Sequence, residues 1–295
     1  ASALGEGAVE TQPFAISTRT AGTHVKDDLS GQDTTAFNVV GVLEGSDPQA
    51  GYYVICAHYD ATAVRSRGWA WRSDPAPGAD DNASGVALVL ESARLLAGQS
   101  FPWSIRFIAF SGEELGLLGS REYAELAQQR DDKILGVLNF DMIGFNDIKD
   151  RLELVTNPGS RWLVEQMLAV NERYEIGLDL DVLEDGGAGL SDHAPFWARG
   201  YDAILAIENY LPTDPFSDGI VNGEYRINSQ YHSKVDVPDS LNYDLIRRTT
   251  QLALATLAQY GLGAGLPNLA VFPGDLRGDG QDHLRVRVSN IGLGV

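Results

Sequence analysis

The sequence has a single cysteine, Cys56, among its 295 residues. One cysteine cannot form a disulfide within the chain, and it excludes every metal site that is built from several thiolates. Cys56 lies inside the apolar run 52–57, where a buried thiol with a packing role is expected. A metal bound by this protein would therefore be held mainly by nitrogen and oxygen ligands.

Basic residues are scarce as well. The chain has 22 lysine and arginine residues against 41 aspartate and glutamate residues, which gives a formal net charge of -19 at pH 7. Nucleic acids and anionic membranes bind basic surfaces, so this charge argues against both as partners. No run of the sequence approaches the roughly 20 consecutive apolar residues of a membrane-spanning helix. Carboxylates, which are abundant here, are the ligands that hard cations prefer.

Short apolar runs alternate with amphipathic segments along most of the chain. Strands are predicted at 37–43, 52–57, 104–111, 134–140, 152–155, 180–183 and 203–207, and helices at about 86–97, 115–129, 160–174 and 243–260. The first two strands flank a turn rich in Asp, Pro and Gly, which predicts an antiparallel hairpin. The alternation that follows predicts an α/β fold with a mixed, mainly parallel central sheet and helices on both faces.

The two ends of the chain differ in texture from this middle part. Residues 1–35 are polar and show no sustained period, which predicts an N-terminal arm or short helix packed on the domain. Residues 36–262 are predicted to form the main domain. Residues 263–295 are predicted to be a linker followed by strands, either an edge hairpin or the start of a β-sandwich module that is cut short.

The stretch Phe107–Leu115 carries the first chemical signal. It reads Phe-Ile-Ala-Phe-Ser-Gly-Glu-Glu-Leu, so a buried strand runs into a glycine and then into the adjacent carboxylates Glu113 and Glu114. Taken alone, the pair is an acidic first helical turn, which the helix dipole favours. Ligands of open α/β sheets, however, bind at the carboxyl ends of strands. Two neighbouring carboxylates in such a turn point different ways, so one can hold a metal while the other moves a proton.

Further ionisable side chains occupy the other strand ends and the adjoining loops. The full set is His58, Asp60, Asp80, Asp81, Glu113, Glu114, Asp141, Asp192, His193, Glu208 and His232. Six or seven such groups on one sheet edge would repel one another unless cations neutralised them. Imidazole and carboxylate ligands without thiolate suit a catalytic zinc, with Mn²⁺ or Co²⁺ as substitutes. One histidine and one or two carboxylates on each metal, with a bridging carboxylate, describe a two-metal hydrolase centre.

The order and spacing of these motifs resemble the co-catalytic di-zinc peptidases of metallopeptidase family twenty-eight, typified by secreted bacterial leucyl aminopeptidases. The resemblance covers about residues 36–260. It is carried by His-x-Asp at 58–60, Gly-Ala-Asp-Asp-Asn-Ala-Ser-Gly at 78–85, Glu-Glu at 113–114, Asp-Met at 141–142 and Tyr-His at 231–232. The resemblance implies a zinc-aminopeptidase architecture of the phosphorylase/hydrolase-like kind, with residues 36–262 as the peptidase domain.

The resemblance also implies two zinc ions and their ligands. His58, Asp81 and Asp141 would hold one ion, and Asp81, Glu114 and His232 would hold the other. Asp81 would therefore bridge the two ions.

Other residues take their expected roles from the same resemblance. Glu113 would be the general base, and Tyr231 would stabilise the oxyanion. Asp60 would orient the first histidine ligand, a role that outer carboxylates commonly take. Asp192 and His193 belong to a Ser-Asp-His segment that is expected to be either substrate-side or structural.

The function implied is that of a metal-dependent aminopeptidase, which hydrolyses the N-terminal peptide bond of peptides that have a free N-terminus. The resemblance further implies a monomer and an extracellular or periplasmic location. The reaction follows from the site, because a metal-activated water needs a base and the developing oxyanion needs a donor.

Three alternatives stay open on the same scaffold. A carboxypeptidase or dipeptidase would commonly insert a lid or dimerisation domain, whereas the segment 141–232 has the pattern of ordinary βα units. A glutaminyl cyclase would usually depart from the Gly-Ala-Asp-Asp segment that is present at 78–81. A binding protein on an inactive scaffold, like the transferrin receptor, would have lost ligands or the base, and here every expected position is filled.

Overall fold

The structure, a computed structural model, describes residues 4–5, 7–16, 34–146, 150–210 and 228–260. It also describes the backbone of short strands at 220–221, 225–226, 269–270, 276–278, 284–286 and 289–290. None of the helices within these residues is both long and apolar enough to cross a membrane.

Within the described residues, eight strands of one sheet and five α-helices form the body of the main domain. The strands are β1 (Val9–Ile16), β2 (Thr34–Leu43), β3 (Tyr52–His58), β4 (Ser104–Phe110), β5 (Ile134–Phe140), β6 (Arg151–Thr156), β7 (Asp179–Glu184) and β8 (Ala203–Ile207). The helices are α1 (Gly85–Leu96), α2 (Leu118–Gln129), α3 (Arg161–Arg173), α4 (His193–Trp197) and α5 (Tyr243–Tyr260). The predicted strands and the four predicted helices are confirmed, with ends that move by at most three residues.

The strands form one sheet in the order β1-β2-β4-β3-β5-β8-β6-β7. The pairs β4-β3, β3-β5, β5-β8 and β6-β7 are parallel, and the other three pairs are antiparallel. The predicted mixed, mainly parallel sheet is therefore confirmed.

Both faces of the sheet are covered by helices, and the burial of the central strand β3 explains why its residues 52–57 are apolar. Every residue of β3 is buried. Ile55 points to the core layer shared with α1, α3 and α5, whereas Val54 and Cys56 point to the layer shared with α2 and α4. Because side chains alternate along a strand, burial on both sides requires an apolar residue at every position.

The predicted hairpin between the first two predicted strands is wrong. β4 lies between β2 and β3, antiparallel to the former and parallel to the latter. The connection from β2 to β3 crosses the start of β4, where the N–H of Ser46 donates to the carbonyl of Phe101 at 2.8 Å. A Cβ on Gly45 would lie 2.3 Å from the carbonyl carbon of Trp103, so only glycine permits this crossing. β3 is buried on both faces, and an interior position in the sheet buries more of its apolar surface than a hairpin with β2 at the edge would.

The N-terminal segment contains regular structure that the sequence pattern did not indicate. Residues 9–16 form β1, which pairs antiparallel with β2 from Val9 opposite Gly41 to Ile16 opposite Thr34. Phe14 and Ile16 are buried in a small cluster with Leu118. β1 is an edge strand, which explains why it tolerates a proline and a polar composition.

The domain boundaries at 36–262 and 263–295 stay predictions. Within the second range, Leu269–Ala270 and Leu284–Val286 are strands, as expected from the sequence. They pair with Ser289–Asn290 and Leu276–Gly278, respectively. The remainder of this range lies outside the described residues.

The core makes a prediction that a matched pair of substitutions tests. Leu138 in β5 is fully buried, whereas Leu190 is 71% exposed. Leu138→Ala is expected to lower the free energy of unfolding by about 2–5 kcal/mol, because it removes buried methyl groups and leaves a cavity. Leu190→Ala is expected to change it by no more than about 0.5 kcal/mol. Urea unfolding followed by circular dichroism measures both, and equal effects would contradict the described core.

Candidate metal centre

The candidate site lies at the edge of the sheet where three neighbouring parallel strands end. His58 is the last residue of β3, and Asp141 directly follows β5. Glu113 and Glu114 follow β4 after a two-residue turn. Because β4, β3 and β5 are adjacent and parallel, their carboxyl ends bring these four side chains to one place.

The carboxylate of Asp81 is at the centre of the site. Its Oδ1 atom is 3.2 Å from Nε2 of His58, and its Oδ2 atom is 3.0 Å from Nε2 of His232. Nε2 of His58 is also 3.2 Å from Oδ1 of Asp141, and Nε2 of His232 is 3.0 Å from Oε2 of Glu114. The structure thus brings five sequence-predicted residues into two groups of three that share Asp81, and within each group the potential ligand atoms lie within 4.8 Å of one another.

The chemistry of both groups fits a metal ion. Each group offers one imidazole nitrogen and two carboxylate oxygens, a donor set that suits zinc with an open coordination position. Glu114 Oε1 is buried and has no hydrogen-bond partner among the described residues, and the buried Asp81 Oδ2 has the imidazole nitrogen of His232 beside it. Nδ1 of His58 is 3.0 Å from the carbonyl oxygen of Asp60. If Nδ1 carries the hydrogen of that bond, Nε2 keeps its lone pair for a metal.

The pKa values of the site show how strongly these buried groups depend on one another. Burial alone would raise the pKa of Asp81, but the two adjacent imidazoles hold it well below its usual range. Burial and the adjacent Asp81 raise the pKa of Glu114 to about 7. Burial lowers the pKa of His232, yet the carboxylates of Asp81 and Glu114 outweigh it and raise the pKa to about 9. Positive charge is therefore stabilised at this position, whether protons or metal cations supply it.

The loop that carries Asp81 is fixed to the end of β5 through its own side chains. Hydrogen bonds link this loop to the segment 140–144. Nδ2 of Asn82 donates to the carbonyl of Phe140 at 2.9 Å. In the other direction, the N–H of Ile143 donates to Ser84 Oγ at 3.1 Å and the N–H of Gly144 donates to Asp80 Oδ1 at 2.8 Å. Gly78 begins the loop with a φ of 55°, and a Cβ there would lie 2.6 Å from the carbonyl oxygen of Asp81. Most residues of the Gly-Ala-Asp-Asp-Asn-Ala-Ser-Gly motif thus serve to hold Asp81 beside Asp141.

Asp60 fixes the position of the glutamate pair. Its two carboxylate oxygens accept hydrogen bonds from the backbone N–H groups of Glu113 and Glu114, each at 3.2 Å. Asp60 also lies beside His58, as expected from the sequence. The contact with the imidazole is made by its carbonyl oxygen, however, and the carboxylate is 3.8 Å from Nδ1.

Glu113 precedes the potential ligand Glu114 and does not itself belong to either group of potential ligands. Burial raises its pKa well above the usual range, and the carboxylates of Asp141 and Asp192 add to the effect while His58 opposes it. A carboxylate with a raised pKa can take up and release a proton near neutral pH.

Tyr231 stacks on the ring of His232, with 3.6 Å between ring centroids and 26° between planes. Burial raises its pKa, and the carboxylates of Asp81, Glu114 and Glu113 raise it further. The phenol therefore stays protonated and keeps a hydrogen that it can donate into the site.

Ser191 holds Asp141 in place, a role that sequence reasoning missed. Its Oγ atom donates to Asp141 Oδ2 at 2.6 Å and accepts a hydrogen bond from Nδ2 of Asn139 at 2.8 Å. The signal in the sequence was the Ser-Asp-His segment itself, but nothing in its pattern says which of the three residues contacts a strand end.

Asp192 and His193, the other two residues of the Ser-Asp-His segment, are both buried. Asp192 is fully buried and accepts a hydrogen bond from Ser120 Oγ at 2.5 Å. Nε2 of His193 is 2.7 Å from the carbonyl oxygen of Ala188, and its ring packs edge-on against Trp197. Burial lowers the pKa of His193 to about 4, so this histidine is neutral. These contacts correspond to the structural alternative for His193.

Asp80 and Glu208 were candidates in the sequence but lie outside both groups of potential ligands. Asp80 is fully buried and, besides Gly144, it accepts a hydrogen bond from Nδ2 of Asn228 at 2.6 Å. Glu208 accepts a hydrogen bond from the N–H of Phe145. Burial raises the pKa of Asp80 to about 7, and burial together with the negative charge of Asp80 raises the pKa of Glu208 well above its usual range.

Proteins that are similar to this chain include zinc aminopeptidases. The aminopeptidase YwaD of Bacillus subtilis (strain 168) is 31% identical over 229 residues, which cover 76% of this chain and 44% of that protein. The solved structure of BSAP, a zinc aminopeptidase from Bacillus subtilis, is 26% identical with a TM-score of 0.60 and covers 81% of this chain and 56% of that one. The chain thus spans about half the length of the curated relatives it matches.

A glutaminyl cyclase from an Acidobacteriales bacterium shares the fold, with a TM-score of 0.65 and 21% identity over 88% of this chain and 81% of that one. At this identity the likeness concerns the fold alone.

The model of peptidase family M28 matches residues 38–257, a range that contains all five potential metal ligands and both layers of the core. The chain belongs to peptidase family M28.

Proposed function

We propose that the protein is an aminopeptidase that uses two zinc ions to hydrolyse the N-terminal peptide bond of peptides. One ion would be held by His58, Asp81 and Asp141, and the other by Asp81, Glu114 and His232. The observation that carries the proposal is the position of Asp81, whose two carboxylate oxygens face different histidines at 3.2 and 3.0 Å. A carboxylate placed in this way can bridge two cations.

Two zinc ions bound there would polarise the peptide carbonyl and lower the pKa of a water molecule. Glu113 would accept the proton of that water and pass it to the leaving amine. Glu113 adjoins Glu114 but belongs to neither group of potential ligands, which leaves its carboxylate free to act as a base. The protonated Tyr231 would donate a hydrogen bond to the oxyanion of the tetrahedral intermediate. Asp60 would keep Glu113 in place by accepting its backbone N–H.

The free α-amine of the substrate would bind near the group formed by Asp81, Glu114 and His232, where the surrounding carboxylates favour a positive charge. A net charge of -19 would also favour the approach of a cationic N-terminus. A monomeric state, an extracellular or periplasmic location and the absence of nucleic-acid and membrane partners stay part of this proposal.

The alternatives differ in their support. A carboxypeptidase or dipeptidase with an inserted domain is not favoured, because the described segment 150–210 consists only of β6, α3, β7, α4 and β8 with their connections. An inactive binding scaffold is not favoured, because all five potential ligands and Glu113 are present and brought together. Cyclisation of N-terminal glutamine stays an alternative on the same fold, and the Gly-Ala-Asp-Asp segment at 78–81 argues against it.

Substrate tests separate these readings. We expect hydrolysis of Leu-p-nitroanilide and no hydrolysis of its N-acetylated form, because the proposed site recognises a free amine. Dialysis against a chelator should abolish the activity, and zinc should restore it. Cleavage of the acetylated substrate would contradict an aminopeptidase, and release of pyroglutamate from Gln-peptides without cleavage of Leu-p-nitroanilide would favour the cyclase.

The role of Glu113 is tested by Glu113→Gln. The amide keeps the shape of the side chain but cannot accept the proton, so we expect kcat to fall about 10²–10⁴-fold. Because Glu113 is not a proposed ligand, the zinc content should stay that of the unchanged protein. Glu172→Gln, an exposed position on α3, is the matched control and should leave kcat unchanged. Retained activity with full metal content in Glu113→Gln would show that the base is another group.

A further inference from the structure

Asp236 makes an unusual set of hydrogen bonds for a residue that is not a proposed ligand. It follows His232 by four positions and is only 1% exposed. Its carbonyl oxygen accepts from the N–H of Ala79 at 3.1 Å, its Oδ1 from the N–H of Asp80 at 3.0 Å and its Oδ2 from the N–H of Asp81 at 3.1 Å. One residue thus accepts three consecutive backbone donors of the loop that carries the bridging carboxylate.

These donors depend on Asp236. Ala79, Asp80 and Asp81 are all buried, and a buried N–H group needs an acceptor because no water can replace one. A carboxylate accepts more strongly than a neutral group, and its two oxygens fix the direction of two neighbouring N–H groups at once. Asp236 therefore sets the position of the backbone at Asp81.

Asp236 is also the last residue of the loop 228–236, which carries His232. Asn228, at the start of that loop, donates from Nδ2 to the side-chain Oδ2 of Asp80 at 2.6 Å, whereas Asp236, at its end, accepts from the backbone N–H of Asp80. Between them, His232 has a φ of 55°, the left-handed region that a non-glycine residue rarely adopts without support. One end of the segment 228–236 is thus attached to the side chain of Asp80 and the other to the backbone of Asp80 and Asp81, and His232 lies between the two attachments.

The two groups of potential ligands differ in how they are supported. His58 and Asp141 lie at the ends of adjacent strands of the sheet, so their separation does not require Asp236. Asp81 keeps its side of that group through the bonds of its loop to residues 140–144. His232 has no such support from the sheet: besides the attachments at Asn228 and Asp236, its segment is held to a loop, where the N–H of Arg65 donates to the carbonyl of His232 at 3.0 Å and the N–H of Lys234 donates to Ser66 Oγ at 2.9 Å.

We infer that Asp236 is a positioning residue, which fixes the distance between Asp81 and His232. It therefore affects the metal affinity of the second position, formed by Asp81, Glu114 and His232, more than that of the first position, formed by His58, Asp81 and Asp141. The inference rests on the proposed two-metal function and deepens it. Asp236 touches neither metal nor substrate in this account. It acts through the backbone of Asp81.

The test is a metal titration of the full chain after removal of bound metal. Asp236→Ala removes both carboxylate acceptors, and Asp236→Asn keeps one carbonyl oxygen but places an amide group against the other N–H. Co²⁺ binding is followed by equilibrium dialysis and by the visible absorption of the bound ion, neither of which depends on turnover. We expect the first Co²⁺ to bind within about threefold of the unchanged protein and the second about 10–100-fold more weakly, with the larger effect in Asp236→Ala.

Asp239→Asn is the matched control, since Asp239 is exposed in the turn that follows and carries the same charge. It should bind both ions as the unchanged protein does. Far-UV circular dichroism of the metal-free variants checks their fold, and the isosteric Asp236→Asn keeps the test usable if Asp236→Ala does not fold. Unchanged affinities, or equal weakening of both, would overturn the role of Asp236 while leaving the proposed function intact. An unchanged protein that binds fewer than two ions would overturn both.

Discussion

The carboxylate of Asp81, placed between two imidazoles, is the contact on which the rest of the site depends. Each of its oxygens faces a different histidine, and each histidine faces one further carboxylate. Buried carboxylates are costly unless positive charge compensates them. Without metal, protons on His58 and His232 supply that charge, which is why both pKa values are raised while that of Asp81 is lowered. The site is therefore organised for two positive charges on either side of one carboxylate.

The acidic residues around this centre divide into two kinds by what they contact. Asp81, Glu114 and Asp141 contact imidazole nitrogens and are proposed ligands. Asp60 and Asp236 instead accept pairs of backbone N–H groups, the first from the glutamate turn and the second from the loop of Asp81. The sheet supplies the framework, because β3 and β5 place His58 and Asp141 directly. Carboxylates that bind backbone then fix the loops that the sheet cannot position.

Much of this arrangement could be predicted from the sequence, for a physical reason. Strands buried on both faces are largely apolar, so their ends are visible, and His58 and Asp141 stand directly at such ends. The hairpin was predicted wrongly because a turn sequence does not show which strand will insert beside it. β1 was missed because an edge strand needs little apolar pattern. The roles of Ser191 and Asp236 were missed because hydrogen bonds to distant groups depend on tertiary structure and leave no local period.

The central claim is that Asp81 bridges two metal ions. The most direct measurement is X-ray diffraction from crystals grown with zinc, recorded on both sides of the zinc absorption edge so that only zinc contributes to the difference. The account predicts two anomalous peaks about 3.5–4 Å apart, on opposite sides of the Asp81 carboxylate. One peak should lie beside His58 and Asp141, and the other beside Glu114 and His232. A single peak, or peaks that do not contact Asp81, would contradict the account.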